Sequence, residues 1–216
     1  INYLIMKNNL PNSIAIFPLS NAVFFPRTVL PLNIFEDRYI QLINDCMKEN
    51  RMFGMVQPKT KFGKSPEVYR IGCLGKIISF NETLDKRFII SLSGITRFRI
   101  KEELNNDKLY RKFKVDYSEF VDDLDEQKSA LINYDKNYLL NKIKTFLEKI
   151  NYSINHKELS KLNLDQLVNT LCMIAPFSVE EKQKLIETVE IKSKAKVLDE
   201  IIKFNSFGYN ENNTVQ

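Results

Sequence analysis

Apolar and polar positions divide the chain into a strand-rich part followed by a helix-rich part. Short runs rich in Ile, Val and Phe cover residues 13–19 and 28–35, and prolines punctuate them, as is typical of barrel or edge strands. Because these runs are almost continuously apolar, we expect both strands to be buried on both faces. Residues 37–50 differ, since their apolar side chains recur every three or four positions, which predicts one helix.

Strand character returns after this helix, in segments at residues 52–56, 71–80, 87–92, 95–101 and 110–120. Glycines lie within or beside several of these segments, where a missing side chain often marks a bulge or a bend in a curled sheet. The first part of the chain, residues 12–121, is therefore predicted to be a mainly β module that curls into a small barrel and carries one helix.

An acidic cluster at residues 122–126 marks the predicted boundary between the two parts. Beyond it, the apolar residues follow helical spacing as far as residue 205. Two apolar stripes, one from Leu139 to Ile150 and one from Leu164 to Ile174, each need a neighbouring helix to cover them. We therefore predict a small C-terminal helical bundle over residues 122–205.

Capping residues place two helix starts in this region. Asn163 and Ser178 are each followed at the third position by Gln or Glu, the pattern of a capping box, in which the two side chains satisfy free backbone N–H groups. We expect flexible ends at residues 1–11, where Met6 has the character of a natural start, and at residues 206–216, which are rich in Asn.

The composition is that of a soluble globular protein, with 44% hydrophobic and 27% charged residues. The apolar stretch at residues 14–31 is interrupted by Arg27 and three prolines, so we expect no membrane span. Cysteines occur in an odd number and at wide separations, which favours buried, reduced thiols and a cytoplasmic location, at Cys46, Cys73 and Cys172.

Positive charge is concentrated in the first part of the chain. Residues 1–121 carry 19 Lys and Arg against 12 Asp and Glu, whereas residues 122–216 carry 13 against 15. Basic residues alternate with apolar ones along two predicted strands, as they do on some nucleic-acid-binding surfaces. This alternation turns the aromatic residues toward the core, so a solvated basic face is the preferred interpretation. The alternative is an RNA-binding face formed by Arg97, Arg99, Lys101, Lys112 and Lys114.

The motifs predict no catalytic, cofactor or metal site. His156 is the one histidine, and it lies in a polar stretch without a cysteine or acid at metal-ligand spacing. Gly-Lys-Ser at residues 63–65 matches the end of a phosphate-binding loop, but Pro58 occupies the position of the first glycine and Pro66 follows the serine. The serines of the segment 91–94 lack the G-x-S-x-G turn that exposes a hydrolase nucleophile.

Several short motifs occur in a specific order and spacing along the chain. The first and most diagnostic are F-P-L at 17–19, F-P at 25–26, L-P-L at 30–32 and I-F-E-D-R-Y at 34–39. They are followed by I-G-C-L-G-K-I at 71–77, G-I-T-R-F-R at 94–99 and A-P-F at 175–177. Together they resemble the N-terminal substrate-binding domain of Lon proteases over nearly the entire ordered chain.

This resemblance implies an α+β fold, in which a PUA-like twisted β-barrel with one helix is followed by helices. It also implies recognition of exposed apolar or unfolded protein segments, as an adaptor or chaperone-like factor in proteolysis, with a protease or a chaperone as a further partner. Full Lon enzymes continue into an ATPase module and a Ser-Lys protease module, which have no counterpart in this sequence. We therefore expect no enzymatic activity and no cofactor.

A candidate partner-binding surface combines the loop at residues 21–27 with the start of the first predicted helix. Its two phenylalanines lie between prolines and polar residues, and charged residues follow; the candidates are Phe24, Phe25, Glu36, Asp37 and Arg38. For the phenylalanines the alternative is burial in the core, which is favoured for Phe25 and evenly balanced for Phe24. For Glu36 and Arg38 the alternative is a salt bridge or cap that holds the helix start.

Overall fold

The chain forms two compact units, residues 1–125 and 126–216. In the computed structural model, the backbone is described over residues 10–20, 22–59, 67–125 and 134–212. Side chains are described over the same ranges as far as residue 206. The outermost parts of the expected flexible ends, residues 1–9 and 213–216, lie outside the described residues, as does the Gly-Lys-Ser motif.

The described part of the first unit contains six strands and two helical segments. In chain order they are β1 (Ser13–Pro18), β2 (Val29–Ile34), α1 (Asp37–Lys48), β3 (Met52–Val56), β4 (Ile71–Glu82), β5 (Phe88–Leu104), β6 (Arg111–Asp116) and a 3-10 segment (Ser118–Leu124). The predicted strands are present near their expected positions. However, β5 is one strand of 17 residues where we predicted two, because Gly94 stays within the ladder and does not end it.

The strands form one six-stranded sheet in the order β2-β5-β4-β3-β1-β6. β1 and β3 run parallel, and the other pairings are antiparallel. β6 also pairs with the C-terminal part of β5, so that β5 contacts β2, β4 and β6. The predicted α+β class is confirmed. The pairing of β6 with β5 joins β5, β4, β3, β1 and β6 in a ring, and β2 pairs with β5 outside this ring. The sheet is therefore not a clear barrel.

The two strands that we predicted to be buried on both faces differ in their surroundings. β1 is buried along its centre, and its Ile14 and Ile16 belong to the main hydrophobic cluster of this unit. β2 exposes Val29, Pro31 and Asn33 and buries Leu32 and Ile34. The prediction is therefore wrong for β2, because no other described element covers its outer face.

β5 approaches the loop that precedes β2 at Gly94. The Gly94 carbonyl accepts a hydrogen bond from the Arg27 N–H, and the Gly94 N–H donates to the Thr28 carbonyl, both at 2.9 Å. A Cβ atom at position 94 would lie 2.1 Å from the carbonyl oxygen of Phe25, to which the Thr28 hydroxyl donates at 2.7 Å. This contact requires a residue without a side chain, and it fixes the loop that carries Phe24 and Phe25.

A buried ion pair connects β5 to the 3-10 segment. Arg97 donates to the Asp123 carboxylate from Nη2 at 2.7 Å, from Nε at 2.9 Å and from its backbone N–H at 2.9 Å. The two side chains are only 2% and 9% exposed. The Arg97 guanidinium also lies 4.5 Å from the centroid of the Phe120 ring. Part of the acidic cluster by which we placed the module boundary thus belongs to the first unit.

The described part of the second unit contains five helices. They are α2 (Lys136–Lys149), α3 (His156–Lys161), α4 (Leu164–Ile174), α5 (Val179–Glu187) and α6 (Ile191–Asn212). The capping boxes predicted at Asn163 and Ser178 are both confirmed. α6 packs against α2, α4 and α5 and continues to Asn212, although we expected a flexible end from residue 206.

Two expectations from composition concern the cysteines and the membrane. Cys46, Cys73 and Cys172 are buried and free of disulfides, as predicted. None of the described helices is both long enough and apolar enough to cross a membrane.

The Arg97–Asp123 pair should contribute strongly to stability. We expect Asp123→Ala to lower the free energy of unfolding by about 3–5 kcal/mol, because it leaves the buried guanidinium without its carboxylate. Glu119 provides a control on the same 3-10 segment, since it pairs with Arg99 at 2.7 Å near the surface. Glu119→Ala should lower the free energy of unfolding by about 1 kcal/mol or less. Urea unfolding followed by circular dichroism measures both, and equal losses would contradict the assigned importance of the buried pair.

Gly94 should tolerate no side chain. We expect Gly94→Ala to destabilise the first unit by about 1–3 kcal/mol, because the added methyl group must displace the Phe25 backbone. The neighbouring change Ser93→Ala, on the same strand, serves as the control and should have little effect. Thermal unfolding of the two variants and the parent chain gives the comparison, and a Gly94→Ala protein as stable as the parent would refute the close contact.

Candidate functional site

An apolar surface lies on the outer side of three neighbouring strands, β2, β5 and β4. Pro31 pairs with Ser91, and Asn33 pairs with Ile89, in the ladder between β2 and β5. On the other side of β5, Ser91 pairs with Ser79 of β4. Because side chains alternate along a strand, the odd-numbered residues of β2 and β5 share one face. That face points away from the core cluster.

Three aliphatic side chains on this surface are about half exposed or more: Val29 at 50%, Ile78 at 59% and Ile89 at 48%. Paired Cβ atoms in neighbouring strands are about 4.5–5.5 Å apart and diagonal ones about 7–8 Å, so these side chains and the polar residues between them share one surface. We call this surface the outer face; it consists of Val29, Pro31, Asn33, Lys76, Ile78, Ser79, Asn81, Ile89, Ser91 and Ser93.

A β-bulge explains why Ile78 belongs to the outer face together with Ser79. The register between β4 and β5 shifts between Ile77 and Ser79. In a bulge two residues oppose one, so two successive side chains can point toward the same side. Ile77 is buried, whereas Ile78 and Ser79 are both exposed. The bulge therefore adds an aliphatic side chain to the surface.

The charged candidates at the start of α1 lie directly after β2, next to the exposed Phe35. Arg38 forms a salt bridge with Glu36 at 2.7 Å, and its guanidinium lies 4.5 Å from the centroid of the Tyr39 ring. Asp37 is exposed at the first position of the helix, where the helix dipole favours a negative charge. The alternative of a salt bridge between Glu36 and Arg38 is thus observed, and all three residues remain accessible.

Phe24 and Phe25, by contrast, are buried in the core of the first unit. A Cβ atom on Gly75 would lie 2.8 Å from the Phe24 ring, which shows how closely that ring packs against β4. The backbone of Phe25 is held against Gly94. Neither side chain can contact a partner without unfolding the loop, so both are removed from the candidate surface.

The basic residues of the alternative RNA face are largely engaged with acids. Arg97 is buried against Asp123 and is inaccessible to a ligand. The next three form surface ion pairs: Arg99 with Glu119 at 2.7 Å, Lys101 with Asp116 at 2.9 Å and Lys114 with Glu102 at 3.4 Å. Lys112, two residues before Lys114 on β6, lines a separate cleft. The structure therefore does not gather the five residues into one accessible basic face.

That separate cleft has a volume of about 260 Å³ and lies between the C-terminal half of α1, β1 and the residues before β6. Within it, the Tyr110 hydroxyl donates to the Asp45 carboxylate at 3.0 Å, and Lys108 pairs with the same group at 3.2 Å. Burial opposes ionisation of Asp45, but these two hydrogen bonds outweigh it and hold the pKa of the carboxyl below its usual value.

A thiol also lines the cleft, because Cys46 forms part of its wall. Burial, reinforced by the nearby charges of Glu49 and Asp45, raises the pKa of Cys46 to about 12. The thiol is therefore protonated at neutral pH and is a poor nucleophile. Among the described residues, no group of three or more His, Cys, Asp and Glu side chains is placed to hold a metal ion. His156 begins α3 in the second unit.

The exposed aliphatic residues of the outer face were missed from sequence. We assigned the run at residues 28–35 to a strand buried on both faces, although Asn33 interrupts its apolar character and the odd positions hold Val29, Pro31 and Phe35. That alternation was the available signal for a half-exposed strand. Ile78 carries no comparable signal, since its exposure depends on the bulge.

Comparison with known proteins now places this fold. The sequence model of the ATP-dependent protease La (LON) substrate-binding domain matches residues 13–203. The Lon protease of Anaeromyxobacter dehalogenans is 26% identical over 92% of this chain and 24% of its own length. Lon protease 2 of Myxococcus xanthus is 25% identical over 92% of this chain and 24% of its own length. The chain thus spans about a quarter of the length of these curated relatives.

Two solved structures share the fold. The Lon N-terminal domain protein from Xanthomonas campestris superposes with a TM-score of 0.63 at 20% identity, covering 86% of this chain and 96% of that one. The N-terminal domain of Mycobacterium avium complex Lon protease gives a TM-score of 0.65 at 13% identity, covering 88% and 98%. With a family match over most of its length, this chain belongs to the Lon substrate-binding domain family.

Proposed function

We propose that this chain is a non-catalytic protein-binding module that recognises exposed apolar or unfolded protein segments through its outer face. The observation that carries the proposal is the set of exposed aliphatic side chains on one face of three paired strands, Val29, Pro31, Ile78 and Ile89. The family name supports it as well, since it describes a substrate-binding domain.

The physical basis of such binding is the removal of apolar surface from water. Burial stabilises a complex by about 25 cal/mol per Å² of apolar area, before the cost of lost translational and rotational freedom is subtracted. The outer face is small, and polar residues lie between its aliphatic side chains. The loss of translational and rotational freedom therefore offsets much of the free energy gained by burial. Binding should therefore be weak and tolerant of sequence, as suits a protein that recognises many unfolded segments.

Contact through side chains suits the outer face better than pairing of backbones along its edge. β2 ends the sheet order and holds Pro31 at its centre. Proline is accommodated in edge strands where its missing N–H faces solvent, and it discourages the addition of a further strand. A bound segment would thus lie across the face, with Phe35 and the charges of Glu36, Asp37 and Arg38 at one end.

In the finer description that we propose, the first unit is a PUA-like curled sheet that presents the binding surface, and the helical unit is a small bundle. The chain acts in the cytoplasm as an adaptor or chaperone-like factor in proteolysis, with a protease or a chaperone as a second partner. The division of the chain into two domains near residues 121–125 belongs to the same proposal, as does the absence of enzymatic activity. RNA binding has less support, because acidic partners engage most of the basic strand residues.

A charge in the outer face should weaken binding of unfolded protein. We expect Ile89→Asp to raise the dissociation constant for a permanently unfolded protein by about tenfold or more, because the carboxylate loses hydration when the surface is covered. Reduced, carboxymethylated α-lactalbumin is a suitable probe, and fluorescence anisotropy measures its binding without ATP. Leu109→Asp is the matched control, since Leu109 is an exposed leucine in the loop before β6.

The control variant should bind like the parent, and the unfolding curves of both variants should match that of the parent. Equal affinity of Ile89→Asp and Leu109→Asp would exclude the outer face as the binding surface. Salt-sensitive binding of RNA that falls when Arg99 and Lys101 are replaced by Gln would favour the RNA alternative instead.

A further inference from the structure

The helical unit contains a groove that the proposed function does not use. It lies between α2 and α6, has a volume of about 440 Å³, and is lined by Tyr138, Asn141, Lys142, Thr145, Phe146, Lys149, Lys203 and Ser206. On α2 these residues recur every three or four positions, so they form one stripe along the helix. The volume falls in the range of about 300–1,000 Å³ that is common for ligand pockets.

The floor of the groove is aromatic. Phe146 is buried beneath it and stacks on Phe177 with ring centroids 6.0 Å apart, which fixes its position. Tyr138 is nearly half exposed, and the ammonium group of Lys142 lies 5.0 Å from the centroid of its ring. These rings, together with the aliphatic stems of the lysines, can accept an apolar side chain of a partner.

The rim of the groove is positively charged. Among the described residues, three lysines line it and no acidic residue does. Asp199 lies beneath the rim, where it forms ion pairs with Lys142 and with Lys203, the latter at 2.7 Å. Burial opposes ionisation of Asp199, but the hydrogen bonds from these two lysines outweigh it and hold its pKa below the usual value. One aspartate against the three described lysines leaves a net positive charge at the rim.

From this charge and this floor we infer that the α2–α6 groove binds a protein segment in which acidic side chains flank an apolar or aromatic one. The lysines supply charge complementarity to the acids, and the rings cover the apolar side chain. A single-stranded nucleic acid is the alternative occupant, because it also carries negative charge and could stack a base on the exposed Tyr138 ring; the buried Phe146 at the floor of the groove favours an apolar side chain. This site is separate from the outer face and does not depend on the proposed function.

A pair of labelled peptides tests the inference on the full chain. One is an amphipathic peptide with Glu on both sides of a central Leu and Phe, and the other carries Lys at each Glu position. We expect the acidic peptide to bind at least about tenfold more tightly, and its affinity to fall as NaCl rises from about 50 to 300 mM, because salt screens exposed charges. Fluorescence anisotropy gives both affinities.

Lys149→Gln should lower the affinity for the acidic peptide by about threefold to tenfold, since it removes one charge from the rim of the groove. It leaves the Asp199 ion pairs intact and places no negative charge at the end of α2. Lys184→Gln, at an exposed position on α5, is the matched control and should change nothing. The two labelled peptides carry the same apolar residues, so binding through the outer face would not require the Glu residues, whereas the groove should prefer the acidic peptide and respond to Lys149→Gln. Failure here and failure of the proposed function are therefore distinguishable.

Three results would overturn the inference. The first is equal affinity for the acidic and basic peptides, and the second is an equal effect of Lys149→Gln and Lys184→Gln. The third is equally tight binding of a single-stranded RNA of the same charge, because the groove would then not be selective for a protein segment.

Discussion

The buried ion pair between Arg97 and Asp123 is the interaction on which the first unit depends. Arg97 lies in β5, the strand that pairs with β2, β4 and β6, so any displacement of β5 is transmitted to most of the sheet. A guanidinium that is only 2% exposed is tolerated because one carboxylate receives both its side-chain and its backbone donors. The 3-10 segment is thereby tied to the sheet, and the first unit extends beyond its last strand.

The same strand is held a few residues earlier, where Gly94 contacts the loop before β2. That contact and the ion pair together fix β5 between the loop and the 3-10 segment. The outer face, formed where β5 runs between β2 and β4, is therefore presented by strands whose positions are constrained from two directions. Such a scaffold can keep aliphatic side chains exposed, because folding energy comes from the opposite face of the same strands.

The two candidate surfaces differ in chemistry. The outer face is aliphatic with polar residues between, and suits apolar segments of many sequences. The groove between α2 and α6 has an aromatic floor and a lysine rim, and suits segments in which acids flank an apolar side chain. Under the two proposals, one surface would bind protein segments by apolar area and the other by charge as well.

The amino-acid sequence by itself determined the order of a strand-rich part before a helix-rich part, the two capping boxes, the α+β class and the family, because these follow from local periodicity, from neighbouring capping residues and from motifs in a fixed order. Only the tertiary structure decided which apolar residues are exposed. The sequence favoured burial for Phe25 and left Phe24 evenly balanced; the structure buries both, and Gly75 and Gly94 make room for them. Ile78 and Ile89 lie in predicted strands, and they are exposed because a bulge and the uncovered side of β2, β5 and β4 leave them in water. Burial depends on contacts between residues far apart in the chain, and these contacts are not encoded in local pattern.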